Sequence, residues 1–148
     1  MVAVPFHYLE LRTFCYATED EARVIQALEQ FMPEGASIER SHTEGHHGDP
    51  IEILTVTLER ADEMRYLLEQ LPRVPGFDRV RTELDQRVDE DCSFYLRLDK
   101  QAAYQGDVAF GRGIQLRGKV EAYPATVEGA IANLRNAFAE LSDAHVSS

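Results

Sequence analysis

Ser93-Phe94-Tyr95-Leu96-Arg97-Leu98-Asp99-Lys100-Gln101-Ala102-Ala103-Tyr104 is the stretch whose reading decides the fold. Its first seven residues alternate, with Phe94, Leu96 and Leu98 on one face and Tyr95, Arg97 and Asp99 on the other. A strand with one apolar and one polar face belongs to an antiparallel sheet covered on one side only. The residues that follow read as a single helical turn before Gln105-Gly106. Asp99 is placed to cap it, with Lys100 and Gln101 at its exposed N-terminal end, where backbone amides attract phosphate. Tyr104 is free to stack on a ligand or to pack.

Outward from that stretch the same alternation recurs. Over 114–122, Ile114, Leu116, Gly118 and Val120 point inward, and Gln115, Arg117, Lys119 and Glu121 outward. Over 6–17, Leu9, Leu11 and Cys15 point inward, and Tyr8, Glu10, Arg12 and Phe14 outward. Residues 107–110 read as a short strand. Residues 38–44 and 51–59 read as two strands joined through the turn Gly45-His46-His47-Gly48-Asp49-Pro50. Arg40 and His42 share a face of the first of these, on a side the pattern does not fix.

Helices fill the intervals. Thr18-Glu19-Asp20-Glu21 has capping-box form, and Val24, Ile25, Leu28, Phe31 and Met32 follow at helical spacing over 19–32. Met64, Leu67, Leu68 and Leu71 mark a helix over 61–71, and Phe77, Val80, Leu84 and Val88 one over 77–88. Pro124 stands near the start of a last helix lined by Ala130, Leu134, Ala137, Phe138 and Leu141. The tail from 142 is polar and expected to fray. The order is β-α-β-β-α-α-β-β-β-α. This is an α+β, two-layer domain spanning 1–148, mainly antiparallel, with helices packed on one face.

Composition narrows the function. The chain has 148 residues, 44% hydrophobic and 28% charged, with 26 Asp and Glu against 15 Lys and Arg, for a net charge of −11. Lys100 and Lys119 are the two lysines; the other thirteen cations are arginines. An acid-rich, lysine-poor surface is what a cytoplasm at molar salt favours, because carboxylates stay hydrated there and their repulsion is screened. An ordinary acidic protein is the plainer explanation. Acidity is therefore weak testimony against nucleic acid as a partner. No run approaches a membrane span. Met1-Val2-Ala3-Val4-Pro5 has no basic region, so a secretory signal is not expected. Cys15 and Cys92 read as buried thiols in a reducing compartment.

Between Ser93 and Lys119 five basic residues (Arg97, Lys100, Arg112, Arg117 and Lys119) face two acids (Asp99 and Asp107). Open sheet faces that carry arginine and aromatics are platforms for single-stranded RNA. The plain alternative is a solvated face of cross-strand pairs, such as Arg97 with Glu121 or Glu10. His42, His46 and Asp49 could feed a metal-dependent hydrolase, but adjacent His46 and His47 point apart and no zinc spacing is present. No nucleophile elbow or phosphate-cradling glycine loop occurs. Neither an enzyme nor a metal or other cofactor is expected.

Two segments, Glu44-Gly45-His46-His47-Gly48-Asp49-Pro50-Ile51 and Leu96-Arg97-Leu98-Asp99-Lys100-Gln101-Ala102-Ala103-Tyr104-Gln105-Gly106, resemble the archaeal RNA-binding protein family associated with the exosome. The resemblance runs from about His7 to Phe138 and is most specific in the second segment. It implies a fold similar to the fifth large-subunit ribosomal protein, and a role with RNA among exosome or ribosomal components. It carries over His46, Arg97, Lys100 and Gln101 as motif positions. The combined expectation is a non-enzymatic, cytoplasmic RNA-binding protein. Arg97, Lys100, Arg117 and Lys119 would meet phosphate, and Tyr95 or Tyr104 would stack on bases. The rival reading is a protein-interaction module or homodimeric accessory subunit that buries the same face.

Overall fold

The structure is a computed structural model that describes residues 4–147; the readings of residues 1–3 and of Ser148 lie outside it. Five strands form one sheet: β1 (Phe6–Tyr16), β2 (Glu39–Glu44), β3 (Pro50–Leu58), β4 (Ser93–Asp99) and β5 (Gly113–Val120). They lie in the order β2-β3-β1-β5-β4, and every neighbouring pair is antiparallel. The described residues also form six α-helices, α1 (Glu21–Glu29), α2 (Ala61–Gln70), α3 (Phe77–Thr82), α4 (Leu84–Arg87), α5 (Lys100–Tyr104) and α6 (Val127–Ser147), and a single 3-10 turn at Leu71–Arg73. This is the expected α+β architecture.

Register explains why the sheet has two unlike faces. Leu9 opposes Leu58 and Gly118, and Leu11 opposes Val56 and Leu116. Leu96 opposes Leu116 across the next pair. All of these are buried, as a row of apolar side chains must be if the hydrophobic effect is to hold helices on that face. Phe94 meets Phe138 of α6 edge-on at 5.5 Å, and Phe138 meets Phe77 of α3 at 5.5 Å. Thr13 falls on this dry face too; its hydroxyl is satisfied by donating to the Gly113 carbonyl at 2.6 Å. Gly118 is small for a reason. A Cβ there would sit 2.6 Å from both Leu9 and Phe6 side chains. Cys15 and Cys92 are buried free thiols.

Three local expectations are corrected. The first helix is capped by Asp20, whose carboxylate accepts from the Ala22 amide at 3.1 Å, and not by Thr18. Both residues suit the cap, and the chain turns one pair later. The helix over 77–88 breaks in two at Glu83, where the backbone leaves helical angles. Residues 107–110 form no strand, only one bridge between Phe110 and Leu98. The last helix begins at Val127, shortly after Pro124 as expected, and the Gly129 N–H donates to the Thr126 hydroxyl. It runs on to Ser147 through the polar segment from 142.

Candidate nucleic-acid interface

The face away from the helices is open. Along β1 it carries Tyr8, Glu10, Arg12, Phe14 and Tyr16, as alternation requires. Phe14 is 38% and Tyr16 48% exposed, large values for aromatic rings in a central strand. Their rings lie 6.3 Å apart. Across the sheet, Arg12 opposes Gln115, and Gln115 opposes Arg97. One row therefore reads Arg12, Gln115, Arg97, with the two arginine backbones about 10 Å apart at two strand spacings. Arg112 precedes the start of β5 beside this row.

Three clefts adjoin one another there. A cleft of about 200 Å³ is lined by Arg12, Phe14, Arg97, Arg112, Ile114 and Gln115. One of about 660 Å³ lies between the β4 edge and the α3–α4 segment, and it shares Arg97 and Gln115 with the first. One of about 760 Å³ shares Phe14 and Arg112 and extends to Tyr16, Thr18 and Gln101.

Charge pairing separates these arginines from most of the others. Arg40 pairs with Glu21, Arg60 with Asp62, Arg81 with Asp78, and Arg79 and Arg87 with Glu83. Arg23 lies over the Tyr104 ring at 5.1 Å. Among the described residues, the guanidinium groups of Arg12, Arg97 and Arg112 have no ion pair and no hydrogen bond. A chain with 26 acids leaves three cations unneutralised around one exposed phenyl ring.

The residues expected to form the site divide. Arg97, Gln101 and Tyr95 line these clefts. Arg117 and Lys119 are on the open face but line none of the three clefts, and Arg117 Nε is buried without a hydrogen-bond partner. Burial pushes the Asp89 carboxyl up, but the Ser93 and Asp91 amides, the Tyr95 hydroxyl and the Arg117 charge together hold it below its ordinary range. Lys119 donates to the Asp91 carbonyl. His46 is exposed in the β2–β3 turn and lines none of the three clefts. Arg40 and His42 fall on the helix side of β2, since Arg40 opposes Leu54.

Lys100 is the main correction. Expected at the exposed start of a helical turn, it is only 7% exposed. Its ammonium donates to the Phe14 carbonyl at 2.5 Å and to Glu19 Oε1 at 2.9 Å, and lies 5.5 Å from the Tyr16 ring. Tyr104 is committed to the same carboxylate, donating to Glu19 Oε2. Burial raises the Glu19 pKa, but the hydrogen bonds from Tyr104, Lys100 and the Tyr16 amide outweigh it and hold the group ionised below its usual range. Burial, and then the bond to Glu19, push the Tyr104 phenol far up. The start of the turn is also self-satisfied. Asp99 caps it as expected, accepting from Ala102 N–H at 3.1 Å, and Lys100 N–H bonds the Arg112 carbonyl at 2.8 Å. Lys100, Glu19 and Tyr104 thus form a clamp that holds α5 to the end of β1 and sets the backbone under Phe14.

Arg12, Phe14 and Arg112 were not singled out as site residues by the sequence. Alternation already placed Arg12 and Phe14 outward. Arg112 was counted in the basic window, within the short stretch Gly111-Arg112-Gly113. Gly113 has φ +109°, and a Cβ there would lie 2.5 Å from Lys100 Cβ, so that stretch is shaped by packing against α5. Among the described residues no three His, Cys, Asp or Glu side chains converge to hold a metal ion, and no helix is long and apolar enough to cross a membrane.

An α+β fold thus sets arginines without ion pairs beside exposed aromatic rings on one open sheet face. Residues 8–120 match the family model described as RNA binding, and the chain belongs to that family. An RNA-binding protein of Pyrococcus abyssi is 34% identical over 140 residues, covering 87% of this chain and 91% of that protein. The crystal structure of a protein from Archaeoglobus fulgidus superposes with a TM-score of 0.81 at 27% identity, covering 89% of this chain and 99% of the other. A DUF54 protein from Methanothermobacter thermautotrophicus gives a TM-score of 0.77 at 40% identity, covering 90% and 98%.

Proposed function

We propose that this protein binds RNA, without catalysis, on the β1–β5–β4 half of its open sheet face. The observation that carries the reading is the set of three unpaired guanidinium groups, Arg12, Arg97 and Arg112, around exposed Phe14 in a strongly acidic chain. Arginine meets phosphate bidentately, and an exposed ring stacks on a base whatever its identity. Gln115 and Gln101 add hydrogen-bonding side chains along the same path. A place in exosome-linked RNA processing or ribosome biology rests on the family resemblance of the Arg97–Gly106 segment. The acid-rich surface we take as an adaptation to a high-salt cytoplasm, in which stacking carries more of the affinity than counterion release.

Ultraviolet crosslinking of RNA to the protein, followed by peptide mapping, tests this placement. Crosslinks are expected on the peptides that contain Phe14 and Tyr95. Crosslinks confined to the β2–β3 turn or to α6 would contradict it.

A second reading, a homodimer or accessory subunit, is favoured by one observation. The β3 side of the open face has no cation and sets half-buried Ile51 and Ile53 beside Tyr16 and Phe14. Sedimentation at high salt, with and without RNA, distinguishes them: a stable dimer that excludes RNA supports the second.

A further inference from the structure

We infer that the site takes a single strand running across β1, β5 and β4, with an end base unstacked into the cleft between β4 and the α3–α4 segment. The inference rests on the RNA reading above and goes beyond it in strandedness, path and a base-holding subsite. The three clefts share walls in series: Phe14 and Arg112 join the first two, and Arg97 and Gln115 join the second to the third. The series crosses the strands instead of following one.

Its size and chemistry fit separate nucleotides. The middle cleft, about 200 Å³, is the narrowest and is ringed by the three free arginines, which suits a backbone phosphate. Phe14 offers its ring in the sheet floor, and a duplex gains nothing from such a ring because its bases are already stacked on each other. At the β4 edge the cleft of about 660 Å³ is large enough for a whole base. Tyr95 and half-buried Phe110 are its aromatic walls, with Gly111 at its margin. Polar recognition is available there. Glu83 Oε1 is buried between Arg79 at 3.2 Å and Arg87 at 3.9 Å, and makes no hydrogen bond. The 25% of the Glu83 side chain that is exposed therefore belongs to its other atoms. Arg87 Nε is likewise buried without a hydrogen-bond partner. Both atoms are shut off from the pocket, so polar contacts to a base fall to the exposed parts of Arg79, Gln86 and Arg87 that line it. Three clefts correspond to a footprint on the order of three to four nucleotides.

The test uses the full-length wild-type protein and fluorescence anisotropy. Single-stranded oligoribonucleotides of two to eight nucleotides are compared with a blunt duplex of the same sequence, and with a strand carrying an abasic residue at either end. Affinity is expected to rise to about four nucleotides and then level off. The duplex is expected to bind at least about tenfold more weakly, and one terminal abasic residue to cost about fivefold or more. Tyr95→Ala should remove the abasic penalty while the protein still binds single strands. Equal binding of duplex and single strand, or no penalty from an abasic residue at either end, overturns the inference yet leaves RNA binding intact. Absence of any RNA binding overturns both it and the reading on which it rests.

Discussion

Lys100→Met separates a structural lysine from an RNA contact. In the wild type the ammonium is buried and satisfies two acceptors, Glu19 Oε1 at 2.9 Å and the Phe14 carbonyl at 2.5 Å. Methionine keeps most of the volume but leaves Glu19 with only the Tyr104 hydroxyl and the Tyr16 amide. Breaking a buried ion pair from one side costs about 3–5 kcal/mol. Glu19 is 19% exposed, which favours the lower end, about 3 kcal/mol. For a chain of this length that lowers Tm by roughly 10 °C. The double variant Glu19→Gln/Lys100→Met should lose less than the sum of the two single changes, because no uncompensated charge remains. The pH dependence has a definite sign. Glu19 has a folded pKa below its unfolded value, so its stabilisation is present above the ordinary carboxylate range. It is lost as pH falls through that range and then through the depressed folded value. The gap between wild type and Lys100→Met should therefore shrink in acid. Thermal unfolding followed by circular dichroism at fixed salt measures both. A Tm within about 2 °C of wild type, together with a loss of RNA affinity, would refute the clamp and return Lys100 to the binding surface.

Other expectations follow from the same packing. Gly118→Ala places a methyl against Leu9 and Phe6 and should cost about 2 kcal/mol in denaturant unfolding, with no change in RNA affinity per folded molecule. Phe14→Ala should barely move Tm, since the ring is already 38% exposed, but should weaken single-stranded RNA binding by about 1–3 kcal/mol. With three free arginines meeting phosphate, the slope of log affinity against log salt should be near −2. A slope steeper than about −5 would mean that more cations engage RNA than these three.

The two faces of the sheet were legible because period-two alternation is local. Leu9, Leu11, Phe94, Leu96 and Leu116 declared the dry face, and Arg12, Phe14, Tyr95 and Arg97 the open one. The Asp99 cap was legible for the same reason, since donor and acceptor are three residues apart. Lys100 was not. Its partner Glu19 is 81 residues away, and only the fold brings β1 and α5 together. Lys100 and Lys119 are expected at phosphate; in the structure Lys100 is buried against the Phe14 carbonyl, and Lys119 ties β5 to the Asp91 carbonyl. Arg12 and Arg112 were visible but not singled out as site residues, because the absence of a partner is a three-dimensional property. Nothing in sequence tells a paired arginine such as Arg40 from a free one such as Arg97.

The central claim is that RNA is held by unpaired arginines and an exposed ring on one half of the open face. The most direct measurement is single-stranded RNA affinity of Arg12→Ala/Arg97→Ala/Arg112→Ala beside Arg135→Ala. Arg135 is an exposed cation on α6, on the helix side of the molecule, and it too has no ion pair among the described residues. The triple variant should keep its Tm and lose at least about a hundredfold in affinity, at roughly 1 kcal/mol or more per charge-assisted contact. Arg135→Ala should bind as wild type does. Equal losses from the two, or an unchanged triple variant, would contradict the account.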